Sequence, residues 1–336
     1  MKIDWKNLGF RYMPVKSNIR YRYREGKWDQ GSIYNSDRIE LSIASNCLHY
    51  GQAAFEGMKA FRCKDGQVRL FRPEENARRM NRTSAHLLGP EIPEELFIDA
   101  VRRVVRENIE YVPPYGTGGA LYIRPLLIGT TPQIGISSAL DYEFIILVVP
   151  VGPYYKGGFT PVDAQISMCW DRAAPHGTGH IKVAGNYAAS LKPTQEAKDK
   201  GCSVALFLDP STHTYIEEFG TSNFIGVKRD GSYVTPESPS ILDSVTNKSL
   251  LQLAKDLGMK AERRRIHKDE LADFAEVGAC GTAVVITPVG RIFMGDQVFT
   301  YGDTMGPVLR QLYDHMTGLQ CGECPDVHNW MLPLEV

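Results

Sequence analysis

Residues 143–149 read Glu-Phe-Ile-Ile-Leu-Val-Val, and residues 144–149 form the longest apolar run of the chain. Such a run is far too short to cross a bilayer. A strand that is apolar on both faces needs cover on both faces. The segment therefore predicts a central strand of a sheet that carries further layers, in a mixed α/β chain. Immediately after it, Pro150-Val-Gly-Pro-Tyr-Tyr-Lys-Gly-Gly158 breaks all periodicity with two prolines and three glycines. That punctuation predicts an interdomain linker at 151–162, with a small α/β domain over 1–150 and a larger domain over 163–336.

The first half alternates polar and apolar residues up to position 45, as short antiparallel strands do. Residues 55–62 and 68–72 predict two strands joined by Lys64-Asp-Gly-Gln67, whose Asp-Gly supplies the positive φ of a tight turn. Pro73 opens a helix where its missing N–H costs nothing, and Gly89-Pro90 stops it. A second helix is expected over 93–109, then strands over 121–128 and 143–149. In the second half the expected strands are 164–170, 204–208, 214–217, 223–228, 233–235, 260–266 and one over 276–288 interrupted at Gly281. Helices are expected over 186–200 with a kink at Pro193, from Asp243-Ser-Val-Thr-Asn247 to 257, and over 305–317.

Composition narrows the function. The formal net charge of −1 gives no electrostatic footprint for nucleic acid or an anionic membrane. The N-terminus lacks the apolar core of a signal peptide. Seven scattered cysteines are an odd number, which suggests reduced thiols and a cytoplasmic protein. Cys321-Gly-Glu-Cys324 with His328 has the spacing of a redox pair or half a zinc site. No second Cys-x-x-Cys exists, so two unpaired thiols are the simpler reading and no metal is expected.

One stretch carries chemistry. In His176-Gly-Thr-Gly-His-Ile-Lys182-Val-Ala-Gly-Asn-Tyr187 no acid lies between Asp171 and Glu196. A lysine in apolar, Gly-rich surroundings is a candidate for a depressed pKa, and a neutral amine attacks carbonyls. A solvated loop lysine is the competing reading. If Lys182 carries a carbonyl cofactor, pyridoxal phosphate is the first candidate. It needs an anion site, an acid at its ring nitrogen and donors for a substrate carboxylate. The helix opened by Ser244-Val-Thr246 offers an anion site, and Arg72, between a strand and a helix, could clamp the same anion. Its alternative is an ion pair with Glu75. Of Glu217 and Glu218, adjacent in a strand, one should face a site. The Cys280-Gly-Thr-Ala283 turn exposes N–H groups of the kind that hold carboxylates.

These motifs resemble, across nearly the whole chain, the branched-chain amino-acid aminotransferases among the fold-type-IV pyridoxal-phosphate enzymes. The matching segments are Leu48-His-Tyr-Gly-Gln-Ala-Ala-Phe-Glu-Gly-Met-Lys-Ala-Phe61, Val68-Arg-Leu-Phe-Arg-Pro73, Leu121-Tyr-Ile-Arg-Pro-Leu-Leu-Ile-Gly129, Pro150-Val-Gly-Pro-Tyr154, Lys182-Val-Ala-Gly-Asn-Tyr187, Glu218-Phe-Gly-Thr-Ser-Asn223 and Gly281-Thr-Ala283. The resemblance implies a small α/β domain and a larger, mainly β domain with peripheral helices, and the cofactor between them. It implies that Lys182 forms the Schiff base and moves the proton, that Glu218 pairs with the ring nitrogen and that Tyr187 bonds the ring oxygen. Arg72, Val245, Thr246 and Thr282 would bind phosphate, and Thr221 is counted with the cofactor residues. Thr282 and Ala283 would bind the α-carboxylate through N–H groups. Tyr122 and Arg124 would serve the carboxylates, Arg124 chiefly the side-chain carboxylate of glutamate, and Phe55, Tyr50 and Tyr154 the apolar pocket. The implied reaction moves the amino group of L-leucine, L-isoleucine or L-valine to 2-oxoglutarate, giving L-glutamate. The family builds its pocket across subunits, which implies a homodimer or higher homo-oligomer. A D-amino-acid aminotransferase and an aminodeoxychorismate-type lyase of the same fold are the alternatives, and a cofactor carrier without turnover is a third. Leu242-Asp-Ser-Val-Thr246 departs from the family's Leu-Pro-Gly, yet keeps residues that cap a helix. The Cys-x-x-Cys that mammalian members carry after the Gly-Thr-Ala turn is absent.

Overall fold

The structure is a computed structural model that describes residues 3–152 and 159–334. Half of the expected linker, residues 153–158 with Tyr154 among them, lies outside the described residues. The chain divides into two compact units. One comprises Met1–Tyr154, Ile181–Gly185 and Leu319–Val336; the other comprises Tyr155–His180 and Asn186–Gly318. Lys182 thus belongs to the first unit, and the C-terminal strand Met331–Pro333 returns to it.

The first unit holds a nine-stranded sheet. Seven strands follow in the order Met331–Pro333, Val68–Phe71, Met58–Arg62, Ala120–Gly129, Tyr142–Val151, Asn18–Arg24 and Lys27–Trp28, while Ser32–Tyr34 pairs with Asn18–Arg24 and Ala53–Phe55 with Ala120–Gly129. Every pairing in it is antiparallel. Ala120–Gly129 and Tyr142–Val151 pair from Ala120↔Val151 to Gly129↔Tyr142, and Asn18–Arg24 pairs on the other side, so the apolar run at 144–149 is indeed in an inner strand. Helices Pro73–His86 and Glu94–Glu107 cover it with Ala77, Met80, Phe97, Val101, Val104 and Val105, all buried. Phe97 stacks on Phe144 with ring centroids 5.7 Å apart. Each of the larger of these side chains contributes about 1.5–3 kcal/mol by leaving water.

The strand expected over 55–62 is two strands, Ala53–Phe55 and Met58–Arg62. The interruption falls at Glu56-Gly57. Glu56 has no accessible surface, and a Cβ on residue 57 would overlap the Tyr122 hydroxyl. A charged group with partners off the sheet and a close approach both work against a continuous ladder.

In the second unit six strands close a ring. Ile216–Phe219, Val204–Leu208, Val162–Ile166, Val285–Met294, Phe274–Gly281 and Asn223–Lys228 pair in that order. The ring closes where Glu218 meets Asn223. Val162–Ile166 runs parallel to both of its neighbours. Ala164, Leu206, Phe219, Phe224, Val277, Val289 and Ile292 belong to its core. Helix Val245–Asp256 begins at the N-cap Ser244, whose hydroxyl accepts from Asn247 N. The N-terminal turn of helix Pro307–Gln320 is capped by Glu276, which accepts from Val308 N at 3.1 Å and Leu309 N at 2.8 Å.

Two further expectations change. The stretch after Lys182 is not one helix kinked at Pro193 but two, Ala184–Ala189 and Leu191–Asp199. Pro193 sits in the first turn of the second, where its missing N–H has no intrahelical acceptor to lose. The strand expected over 276–288 is a hairpin, with Gly281 opposite Val285 and Thr282, Ala283 and Val284 at its tip.

Candidate active site

Lys182 is pinned by its backbone before its amine does anything. Its N–H donates to Thr83 Oγ1 at 3.0 Å, and its carbonyl accepts from Phe55 N at 3.2 Å. Val183 bridges Ala54. Helix Pro73–His86 thus holds one side of the segment and strand Ala53–Phe55 the other. The Nζ lies 4.7 Å from the centre of the Phe55 ring. The residue keeps some accessible surface, yet its amine is crowded by protein atoms, and this desolvation pulls its pKa from 10.5 to about 8. The Arg79 charge pushes the same way, while Glu56 pushes back.

Glu56 and Arg79 form a buried pair that sequence reading missed. Arg79 Nε reaches Glu56 Oε1 at 2.7 Å, and Arg79 Nη2 reaches Oε2 at 2.7 Å. Asn76 Nδ2 adds a third donor at 2.8 Å. Burial alone would raise the Glu56 carboxyl, but Arg79 outweighs it and holds it below the usual carboxylate range. Asn76, Arg79 and Thr83 lie three and four residues apart, so one helix face presents all three. That spacing was the available signal. The flanking Arg78 and Arg82, on a helix with a polar outer face, hid it.

Arg124 lies with its guanidinium 4.8 Å from the Phe55 ring centre and 5.2 Å from that of Tyr122, and its Nη2 donates to Tyr122 Oη at 3.0 Å. Its Nε is buried with no hydrogen-bond partner among the described residues. Phe55, Tyr122, Arg124 and Lys182 therefore form one cluster of two rings, one guanidinium and one amine. Arg72 is elsewhere in the same unit. It takes a left-handed φ of 47° before Pro73, stacks 4.7 Å from the Trp330 ring centre and lies 3.9 Å from Glu75. Tyr50 is more than a third exposed and donates to Ile134 O.

The second unit gathers the acid. Glu217 and Glu218 point to opposite faces of their strand, as expected, but both faces are covered and both residues are buried. Glu218 Oε1 accepts from Arg172 Nη2 at 2.8 Å and from Leu242 N at 3.0 Å, and Oε2 accepts from Asn223 Nδ2 at 2.6 Å. Every one of these partners is a donor. Glu217 accepts from Ser238 Oγ at 2.6 Å, and its burial raises its pKa. Val245 and Thr246, both buried, supply the first N–H groups of their helix, the ones helix geometry leaves for an outside acceptor. Thr282 and Ala283 sit at the hairpin tip, and Tyr187 lies in the short helix Ala184–Ala189. Thr221 is exposed.

Residues 53–292 match the family described as amino-transferase class IV. The chain belongs to the class IV aminotransferases. It is 46% identical to the branched-chain-amino-acid aminotransferase of Haemophilus influenzae, over 99% of either chain. It is 45% identical to that of Helicobacter pylori, over 98% of this chain and 97% of the other. Among solved structures it resembles the branched-chain amino acid aminotransferase of Escherichia coli. The TM-score is 0.75 at 26% identity, covering 96% of this chain and all of that one. A T.th. branched-chain amino acid aminotransferase with pyridoxamine 5'-phosphate gives 0.82, also at 26% identity, with 96% and 100% covered.

In this class IV aminotransferase the Cys321–Cys324 pair lies near Cys63, whose charge acts on Cys321. Cys63 is buried against Gln320 O at 3.6 Å, Cys321 and Cys324 are half-buried, and none of the three is in a disulfide. Burial raises the Cys321 thiol to about 11, which disfavours the nucleophilic thiolate. Among the described residues no group of three or more His, Cys, Asp or Glu could hold a metal ion. Nor is any described helix long and apolar enough to cross a membrane.

Proposed function

We propose that the protein is a pyridoxal-phosphate-dependent transaminase moving the amino group of L-leucine, L-isoleucine or L-valine to 2-oxoglutarate. One observation carries the substrate assignment. Beside the Lys182 amine stand two aromatic rings and a guanidinium with a buried, unsatisfied Nε. Rings accept a branched aliphatic side chain, and the guanidinium accepts the second carboxylate of glutamate. One pocket must do both in turn for this reaction. The relatives named for branched-chain substrates support the reading, as do structures of the T.th. enzyme complexed with N-(5'-phosphopyridoxyl)-L-glutamate and with 4-methylvaleric acid.

The donor set fits the cofactor: a buried amine with a pKa near 8, a carboxylate met by three donors, and a helix N-terminus. When bound, pyridoxal phosphate supplies an electron sink for the charge that develops at the substrate Cα. With the cofactor bound, Lys182 Nζ would carry the proton from the substrate Cα to the cofactor carbon within one half-reaction, and in the reverse direction when 2-oxoglutarate is aminated. Glu218 holds the proton at the ring nitrogen, and Tyr187 orients the ring oxygen. Val245, Thr246 and Thr282 hold the phosphate, with Arg72 or Arg79 as the cationic partner; Arg79 is the one whose charge acts on Lys182. Thr282 and Ala283 take the α-carboxylate. Phe55 and Tyr50 exclude water from the apolar side chain.

The chain acts as a homodimer. Ile43, Leu48, Ile134, Ile136 and Leu140 are exposed, Ile43 and Ile136 by 89% and 88%. Their two segments are tied by Gln133 N to Ala44 O at 3.0 Å, and Tyr50 donates to Ile134 O in the same place. An apolar patch this continuous favours a protein partner. The odd number of scattered cysteines supports a cytoplasmic location.

The test is a visible spectrum with added pyridoxal phosphate. The expected band is bleached by L-leucine and restored by 2-oxoglutarate. A band bleached by D-alanine and untouched by L-leucine would overturn the substrate assignment, and no band would overturn the cofactor. Light scattering should give twice the chain mass, and Ile136→Asp should lower it.

A further inference from the structure

Arg172 is a residue to which the reaction described so far gives no part. Its side chain is nearly inaccessible, with 6% of its surface exposed, and it stands in an irregular segment. It makes three contacts through one nitrogen: Glu218 Oε1 at 2.8 Å, Gly179 O at 2.8 Å and Ser240 O. Two loop carbonyls thus hold the guanidinium against one carboxylate oxygen. The glycine at 179 is part of the same arrangement. A Cβ there would overlap Ser240 O and come within 2.8 Å of Arg172 Nη2. The Gly-Thr-Gly of the lysine stretch therefore includes a residue whose lack of a side chain admits the arginine.

The hydrogen-bond pattern at Glu218 constrains its charge. Arg172 Nη2, Leu242 N–H and Asn223 Nδ2 can only donate. Oε1, with two donors on it, could carry a proton only by losing one of those bonds, and all three donors bond more strongly to a charged acceptor. The pattern therefore selects the acceptor-only, ionised form. Glu217 and Cys280 are ionisable neighbours of Glu218. Glu217 is next to it in the strand and hydrogen-bonded to Ser238, and Cys280 has a buried thiol pushed far up with help from the Glu218 charge. Neither supplies a positive charge. Arg263, whose charge also reaches Cys280, is paired with Asp243 at 3.5 Å. Arg172 is a cation in direct contact with Glu218.

We propose that Arg172 is a positioning residue that keeps Glu218 an ionised, weakly basic carboxylate, so that a proton shared with the cofactor ring rests on the ring nitrogen. This rests on the proposed cofactor role of Glu218. A carboxylate with its lone pairs engaged competes poorly for a proton; the same group stripped of its cation competes well. Where the proton rests decides how strongly the ring withdraws electrons.

The test uses protein loaded with pyridoxal phosphate labelled with ¹⁵N at the ring. Wild type should give the pyridinium resonance from about pH 6 to about pH 9, the range in which a carboxylate of this kind stays ionised. Arg172→Gln should move it toward the neutral pyridine position, and Arg172→Lys should fall between. Gly179→Ala displaces the guanidinium without removing its charge and should move the resonance the same way, so it carries the test if R172Q does not fold. A folded R172Q or G179A with the wild-type resonance overturns the proposal, whatever its melting temperature, because a purely structural arginine would change stability alone. Failure of the label to respond to Glu218→Gln as well would overturn instead the pairing of Glu218 with the ring.

Discussion

Glu56 and Arg79 meet through two hydrogen bonds of 2.7 Å at a place where Glu56 has no contact with water. The pair acts on Lys182 with opposite signs, Arg79 lowering the amine pKa and Glu56 raising it. Glu56→Gln removes the raising charge, so the amine should titrate below about 8. Arg79→Met removes the lowering charge and should move it above. The pH dependence of Lys182 acylation in cofactor-free protein reads both, and shifts of the same sign in the two variants would count against the assignment. Arg79→Met also strands a buried carboxylate and should cost about 3–5 kcal/mol, whereas E56Q should cost less.

The Lys182 amine is held at a stability cost. Its folded pKa of about 8 lies below the ordinary 10.5, so between these values the unfolded chain binds a proton that the folded chain has released. Stability therefore rises with pH through that window, and below about pH 8 the full penalty applies. Cofactor-free Lys182→Met should be more stable than wild type at about pH 7 by up to about 3 kcal/mol. Urea unfolding should find that advantage shrinking as the pH rises toward about 10. A constant difference would refute the account.

Gly57 leaves room for the Tyr122 hydroxyl, which in turn accepts from Arg124 at 3.0 Å. Gly57→Ala should push Tyr122 aside and loosen Arg124. The expected signature in steady-state kinetics is a KM for 2-oxoglutarate raised about tenfold, a loss of roughly one to two kcal/mol, with a smaller change for L-leucine. Equal losses for both substrates would mean that Arg124 does not serve the side-chain carboxylate.

Away from these clusters, Glu270 joins Arg264 at 3.0 and 2.7 Å and Lys228 at 2.8 Å, and these partners, Arg264 foremost, draw its pKa down to about 2. A lowered acid contributes stability above its unfolded value of 4.5 and loses it as the pH falls to about 2. Glu270→Gln should therefore lower stability at about pH 7 by about 1–2 kcal/mol, allowing for partial solvent screening. It should also flatten acid unfolding between pH 4.5 and about 2. An acid-unfolding curve parallel to wild type would refute this.

Much of the fold was readable because local chemistry and tertiary position agree. Pro73 with two following glutamates marks a helix start wherever it is placed, and Ser244 caps its helix as its side chain suggests. Lys182 was readable from the absence of acids around it. The unreadable parts depend on burial. Nothing in Glu-Asn-Ala-Arg-Arg-Met distinguishes the exposed Arg78 from the buried Arg79, because only the packed sheet decides which side of the helix is inside. Of Glu217 and Glu218 one was expected to face a site, but the burial of both depends on the Ser238–Leu242 segment, which sequence spacing does not reveal. The break at Glu56-Gly57 arises from Tyr122, far along the chain, and Arg172, in an irregular segment, acquires meaning only beside a carboxylate from a distant strand.

The register pair Glu218–Asn223 that closes the six-stranded ring also carries a hydrogen bond from the Asn223 side chain to the Glu218 carboxylate. Architecture and acidity are thus completed by one event. A chain still assembling its strands has no properly held carboxylate at 218, so ligand capture at that position reports that the last strand has docked. Loss of that capture on heating should precede the loss of helical signal, which makes the seam a built-in gauge of whether the barrel is shut.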